Sequence, residues 1–157
     1  SELDEFQREP FIGSFNLLSK NGTNIENITL ITVHTKPAQA VNETASLHNV
    51  VETYKTNSTE SDIILLGDFN ADCGYASTYD LNQLDIRSPE YLWVVPDSAD
   101  TTYSENTHCA YDRIVLTSNI DGRFFGKWGV DRDMSSSEIS DHYPVWFDLD
   151  IREDVPE

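Results

Sequence analysis

Ile63-Ile64-Leu65-Leu66-Gly67-Asp68-Phe69-Asn70 is the stretch from which the fold can be read. Four consecutive apolar residues predict a strand buried on both faces, ended by a glycine. A carboxylate and a carboxamide follow, spaced two apart. In extended backbone, residues i and i+2 point to the same side. Asp68 and Asn70 are therefore expected to present oxygens together at a strand's carboxyl end, where open α/β sheets bind their ligands. The competing reading is an Asx turn, in which the same residues only change the direction of the chain. Taken alone, the stretch slightly favours the turn.

Upstream, Phe11–Leu18 and Asn24–His34 are apolar segments joined across Asn21-Gly22, a dipeptide that signals a hairpin. Past Lys36-Pro37, residues 38–56 have helical spacing, with Val41, Ala45, Leu47, Val51 and Tyr54 facing inward and Asn42 and Glu43 outward. Strand, helix, strand predicts a right-handed parallel crossover into the Ile63 strand. Downstream, residues 71–89 read as irregular or briefly helical, 91–95 as a strand and 96–108 as a polar loop. Residues 111–116 form the next expected strand, and 122–138 a loop with a short strand near 124–128. A final strand over 143–149 alternates Val145, Phe147 and Leu149. The expected organisation is one domain over residues 1–151 and an acidic tail over 152–157, with no linker and no internal repeat.

Composition narrows the class. The chain has 157 residues, enough for one domain or part of one. Its apolar fraction of 38% is below the roughly 45–50% of typical globular domains, which is thin for an independent core. A net charge of −18 argues against passive adhesion to nucleic acid or to an anionic membrane. Some of those carboxylates are candidates for binding divalent cations. Four N-glycosylation acceptor triplets, at Asn21, Asn27, Asn42 and Asn57, point to a secreted chain. Cys73 and Cys109 fit a disulfide better than a metal site, because no Cys-x-x-Cys pair exists. No apolar run approaches transmembrane length and no signal peptide is present, so no membrane association is expected; the missing initiator Met agrees with a processed or cut chain.

A pattern runs through these segments. His34, Asp68 with Asn70, Asp112, and Asp141 with His142 all fall at or beside expected strand ends. Each taken singly reads as a cap or a satisfied turn. Together, several convergent titratable groups read as a site.

Four motifs carry a resemblance. Gly67-Asp-Phe-Asn-Ala-Asp-Cys73, Pro96-Asp-Ser-Ala-Asp-Thr-Thr102, Cys109-Ala-Tyr-Asp-Arg-Ile-Val115 and Ser140-Asp-His-Tyr-Pro-Val145 resemble the deoxyribonuclease I family of the endonuclease/exonuclease/phosphatase superfamily. The Asp-Asn and Asp-His motifs occur across that superfamily, which includes phosphoinositide phosphatases, sphingomyelinases and abasic-site endonucleases. The cysteine spacing and the Pro-Asp-Ser-Ala-Asp-Thr-Thr run are narrower. The similarity extends from about Asp4 to Leu149 and covers only the second half of the family's domain. It implies an α/β fold, the C-terminal half of a four-layer α/β/β/α sandwich with a mixed sheet. The low apolar fraction agrees with a chain that packs against its N-terminal half, present as a separate chain or as the rest of a longer one.

The resemblance also implies roles. His34 and His142 would be catalytic imidazoles, with Asp112 orienting His142 and leaving open which histidine is acid and which base. Asp68, Asn70 and Asp141 would line a Mg²⁺ (or Mn²⁺) site around the scissile phosphate, Asp68 also counting as catalytic. Two Ca²⁺ sites are implied, one from Asp100, Thr102 and Thr107, the other from Asp4, Glu9 and the carbonyl of Phe6. The loop holding the first is one residue longer than in the family. Arg8, Asn70 and Tyr111 would contact DNA, and Cys73–Cys109 would be the disulfide. The implied activity is metal-dependent hydrolysis of double-stranded DNA with low sequence specificity, by a secreted enzyme active only with its N-terminal half. Actin is an implied partner. The alternatives are another phosphoesterase of the superfamily, a phosphatase or sphingomyelinase, or a non-catalytic binding half-domain.

Overall fold

In a computed structural model, residues 5–133 and 138–150 are described. The chain runs β1 (Phe11–Leu18), β2 (Asn24–His34), α1 (Ala40–Asn57), β3 (Ile63–Asp68), α2 (Thr78–Leu81), β4 (Tyr91–Trp93), β5 (Asp112–Thr117), α3 (Ser118–Asp121), β6 (Phe124–Val130) and β7 (Val145–Leu149). β1 to β5 form one mixed sheet in the order β1-β2-β3-β5-β4, and β6 with β7 forms a two-stranded ribbon. β2 and β3 are parallel, as the strand–helix–strand pattern predicts, and β5 lies antiparallel on the other side of β3.

β3 is central because both of its faces are apolar. Ile63 and Leu65 pack with Ile31 and Val33 of β2 under Leu47 and Val51 of α1. Ile64 turns to the opposite face and joins Ile114 and Leu116 of β5, which Val145, Phe147 and Leu149 of the ribbon partly cover. Each such side chain stabilises the fold by about 1.5–3 kcal/mol when fully buried. Between Ile28, Leu30, Leu66 and the ribbon an apolar groove of about 390 Å³ stays open.

Two glycines are required by the backbone. Gly22 turns the first hairpin at φ +79° with open space around it. Gly67 has φ +135°, and a Cβ there would overlap the carbonyl oxygen of Val33 on β2. Only a residue without a Cβ lets β2 and β3 close at this point.

Several details differ from the sequence reading. A 3-10 turn over Pro37–Gln39 precedes α1, so the helix proper starts at Ala40. Glu43 does not face outward. It is 2% exposed, and its carboxylate accepts N–H bonds from Gln7 (3.2 Å) and Lys36 (3.0 Å). Helical periodicity reports sidedness but not the loops that will need acceptors. β4 ends at Trp93, β6 continues to Val130, and α3 is a short helix with no periodic signal.

The asparagines of all four acceptor triplets are exposed, whereas Thr29 and Thr44 are completely buried. The Thr29 hydroxyl lies 2.9 Å from that of Tyr54 on α1. Asp4 and the tail over 152–157 lie outside the described residues. Among the described residues, no helix is long and apolar enough to cross a membrane.

Candidate active site

The sheet register assembles the site. His34 is opposite Asp68 in the β2–β3 ladder, and Asp68 is opposite Asp112 in the β3–β5 ladder. Cross-strand partners share a face, so the three form one row across the ends of three strands. His142 joins the row from the segment before β7. Its Nδ1–H donates to Asp112 Oδ2 at 2.8 Å, and the same nitrogen is 3.9 Å from Asp68 Oδ2. On the other side, His34 Nε2 is 3.5 Å from Asp68 Oδ2. Backbone bonds fix the His142 segment against the polar loop: Tyr103 N–H donates to Asp141 O at 2.7 Å, and Tyr143 N–H to Thr101 O at 2.8 Å.

Asp68 and Asn70 form the turn that their sequence slightly favours, and both still line the cleft. The Asn70 N–H donates to Asp68 Oδ1 at 2.8 Å, which is an Asx turn, and Asn70 has φ +47°. Asn70 therefore reaches the site through a left-handed bend and not by strand alternation. Its amide NH₂ donates to Thr35 O at 3.0 Å, which aims its oxygen away from that bond. Asp68 Oδ2 is left to face the two histidines.

His34, Asp68, Asn70, Tyr111, Asp112, Asp141 and His142 line one cleft of about 500 Å³, together with Tyr75 and Ser140. Burial pushes the Asp68 carboxyl above its usual range; the nearby Asp112 charge adds to this, and the Asn70 N–H opposes it. The His142 imidazole is pushed up, first by its hydrogen bond to Asp112 and further by the charges of Asp112, Asp68 and Asp141, against the effect of burial. A half-buried carboxylate held reluctantly in its charged form marks a place short of positive charge. Ligand atoms of Asp68, Asp112 and His142 lie within 4.8 Å of one another. Carboxylate and carboxamide oxygens in an open cleft suit a hard divalent cation that keeps part of its shell for water and phosphate. Asp68, Asn70 and Asp141 have oxygens to offer at the cleft, and Asp112 gives one of its two to His142.

The remaining expected positions fall into place unevenly. Cys73 and Cys109 form a disulfide with Cα atoms 5.9 Å apart. Asp72 braces it, accepting the N–H groups of Cys73 and Ala110, each at 2.7 Å. Arg8 donates to His34 O at 3.0 Å, so its guanidinium caps the end of β2 beside the cleft. Asp100, Thr102 and Thr107 do converge: Thr102 donates its N–H (3.1 Å) and hydroxyl (2.9 Å) to Asp100, and its hydroxyl lies 2.6 Å from Thr107 O. Yet Asp100 Oδ2 is already met by His108 Nδ1 at 3.1 Å and by Arg132 at 3.3 Å. Both Asp100 oxygens thus have partners, and a cation drawing on this loop would compete with His108 and Arg132 for them. The Phe6 ring lies in the core and Glu9 is exposed. Tyr75 was not anticipated. Its ring lies tilted against that of Tyr111 (5.6 Å between ring centroids), which stacks on His142 (5.9 Å). Only the disulfide, two residues before Tyr75, hinted that it would come near Tyr111.

No protein-family model matches the chain. Its sequence is 36% identical over 154 residues to deoxyribonuclease-1 of Bos taurus, 90% of this chain and 53% of that protein. It is 38% identical to the Ovis aries protein over 90% of this chain and 57% of that one. To deoxyribonuclease-1-like 1 of Chlorocebus aethiops it is 36% identical over 96% of this chain and 52% of that one. The chain thus spans about half the length of the curated relatives it matches. Its fold is similar to the endonuclease domain of TRAS1, a telomere-specific non-LTR retrotransposon (TM-score 0.60, 14% identity, 90% of this chain and 80% of that one). It is also similar to the Xenopus laevis APE2 catalytic domain (TM-score 0.54, 15% identity, 87% of this chain and 54% of that one). By sequence the chain is similar to one half of deoxyribonuclease-1 and deoxyribonuclease-1-like 1, and its mixed α/β sheet has the fold of the TRAS1 and APE2 domains.

Proposed function

We propose that this chain supplies half of the active site of a secreted, divalent-metal-dependent endonuclease that hydrolyses double-stranded DNA with little sequence preference. The observation that carries the proposal is the His142–Asp112 pair set beside Asp68 and Asn70 in one cleft. With Nδ1 committed to Asp112, Nε2 of His142 is the atom left to exchange a proton with a phosphodiester or its attacking water. His34, on the far side of Asp68, provides a second proton-transfer group. Positioned acid–base groups of this kind contribute roughly 10²–10⁴-fold in rate. A divalent cation held by Asp68, Asn70 and Asp141 would neutralise charge on the phosphoryl oxygens. The need for one is acute here, since a chain of net charge −18 repels DNA. Tyr111 and Tyr75 offer ring faces at the cleft for sugar and base, and Arg8 a cation at its edge.

The apolar groove between the sheet and the β6–β7 ribbon, the low apolar fraction and the half-length match support an N-terminal half packed on this one. The exposed acceptor asparagines and the disulfide support secretion. At the Asp100 loop, Ca²⁺ would have to displace Arg132 and His108.

The test is plasmid nicking by the protein carrying both halves, with Mg²⁺ and with a chelator. Metal-dependent nicking that His142→Ala removes is expected, together with silence of the 157-residue chain alone. Unaltered nicking by His142→Ala, or hydrolysis of lipid-headgroup phosphoesters in preference to DNA, would overturn the proposal.

A further inference from the structure

We infer that Thr101 is a positioning residue that holds Asp112 and His142 in hydrogen-bonding register. The inference rests on the proposed role of that pair in proton transfer. The two residues come from different parts of the chain. Asp112 opens β5, whereas His142 follows the β6 strand and arrives on a loop segment. A 2.8 Å bond between them needs something that grips both.

β4 does not reach that far. It pairs with β5 only as far as Trp93 opposite Val115, and its last bond to β5 is from Val94 N–H to Ile114 O at 2.9 Å. The N–H groups of Tyr111 and Asp112 lie beyond this edge. Both are taken by one atom, the Thr101 hydroxyl oxygen, at 3.2 Å and 3.1 Å. The same hydroxyl lies 3.3 Å from Cys109 O and donates its proton there. One donor and two acceptor sites are the whole capacity of a hydroxyl, and all are used at a fully buried position.

The backbone of the same residue holds the other arm. Thr101 N–H donates to Cys109 O at 2.9 Å, and Thr101 O accepts from Tyr143 N–H at 2.8 Å. Its neighbour Thr102 forms an isolated antiparallel bridge with His142. Thr101 thus bonds the start of β5 through its side chain and the His142 segment through its main chain. It does not line the cleft. Its influence on the reaction passes entirely through the placement of the pair.

A valine in place of Thr101 keeps the shape and removes the hydroxyl, leaving two part-buried N–H groups without that partner. Misplacing a reacting group by about 1 Å costs on the order of 10²-fold in rate. The experiment compares Thr101→Val, Thr101→Ser and wild type in the protein carrying both halves. Steady-state cleavage of a short duplex is measured alongside amide hydrogen exchange. Thr101→Val is expected to lower kcat by about 10²-fold with KM nearly unchanged. It should also accelerate exchange at Tyr111 and Asp112, and Thr101→Ser should restore both.

A folded Thr101→Val with wild-type kcat overturns the inference, as does a Thr101→Ser variant no better than valine. If valine fails to fold, Thr101→Ala and Thr101→Ser are compared by exchange at Asp112, and equal exchange in the two overturns it. Absence of cleavage by the wild-type protein would count against the proposed function alone, because the exchange readout tests the placement of Asp112 without it.

Discussion

Gly67→Ala separates two effects that usually come mixed. At Gly22, φ is +79° and nothing lies near an added Cβ, so alanine there suffers only the left-handed backbone cost of about 1–2 kcal/mol. Gly67 carries the same kind of cost at φ +135° and adds overlap with the Val33 carbonyl of β2. Relief requires β2 and β3 to part where their ends are tied together. Three bonds are at risk there: Thr35 N–H to Asp68 O (2.9 Å), Thr35 hydroxyl to Phe69 O (2.6 Å) and Asn70 amide to Thr35 O (3.0 Å). At about 0.5–1.5 kcal/mol each, their loss adds roughly 2–4 kcal/mol. Gly67→Ala should therefore cost about 3–6 kcal/mol against 1–2 for Gly22→Ala. In urea, with a slope near 2 kcal/mol/M, the midpoint falls by roughly 1.5–3 M for the first and by less than about 1 M for the second. Activity of the molecules still folded should fall only for Gly67→Ala, because the His34–Asp68 contact sits at the parted end. Equal midpoints for the two variants would refute the close approach of β2 to β3.

Two further outcomes follow from the charges in the cleft. Asp112→Asn removes the main reason that His142 holds its proton. The raised value means the pair's stabilisation is complete below the ordinary imidazole pKa of about 6.5 and is lost as pH rises through the folded value. The fall in urea midpoint across that window should flatten in the variant, and its pH–activity profile should shift to lower pH; identical slopes would sink the assignment. Asp68→Asn removes a carboxylate that burial disfavours, while keeping an oxygen to accept the Asn70 N–H. Without metal, the variant should melt no lower than wild type at neutral pH, yet calorimetry should detect weakened Mg²⁺ binding. Lower melting with Mg²⁺ affinity intact would count against a metal site at Asp68.

How much was legible in the sequence varies with range. The Ile63 strand, the hairpin before it and the parallel crossover were readable because apolar runs, Asn-Gly and helical spacing are local signals. His34, Asp68 and Asp112 were readable as strand-end residues. That they share one ladder row depends on register, which no single segment contains. Asn70 arrived by a route that alternation does not describe, since its left-handed backbone is set by the Asp68 side chain. Glu43 turns inward against its helical spacing because its partners, the N–H groups of Gln7 and Lys36, belong to other segments. The Asp100 loop presented suitable oxygens, but the residue that closes it, Arg132, is 32 positions away. Thr101 was hidden in plain view, one of two adjacent threonines whose roles only tertiary neighbours distinguish.

The burial of Thr29 and Thr44 has a consequence for timing. These hydroxyls belong to the acceptor triplets at Asn27 and Asn42, and both vanish from the surface once α1 lies on the sheet. A modifying enzyme that must grip the whole triplet can do so only before that happens. Sugar at Asn27 or Asn42 would then record a race between folding and modification, with slow-folding variants the more heavily modified. Thr23 and Thr59 stay exposed, so Asn21 and Asn57 run no such race. Glycan occupancy compared between the two pairs would serve as a clock for the docking of α1.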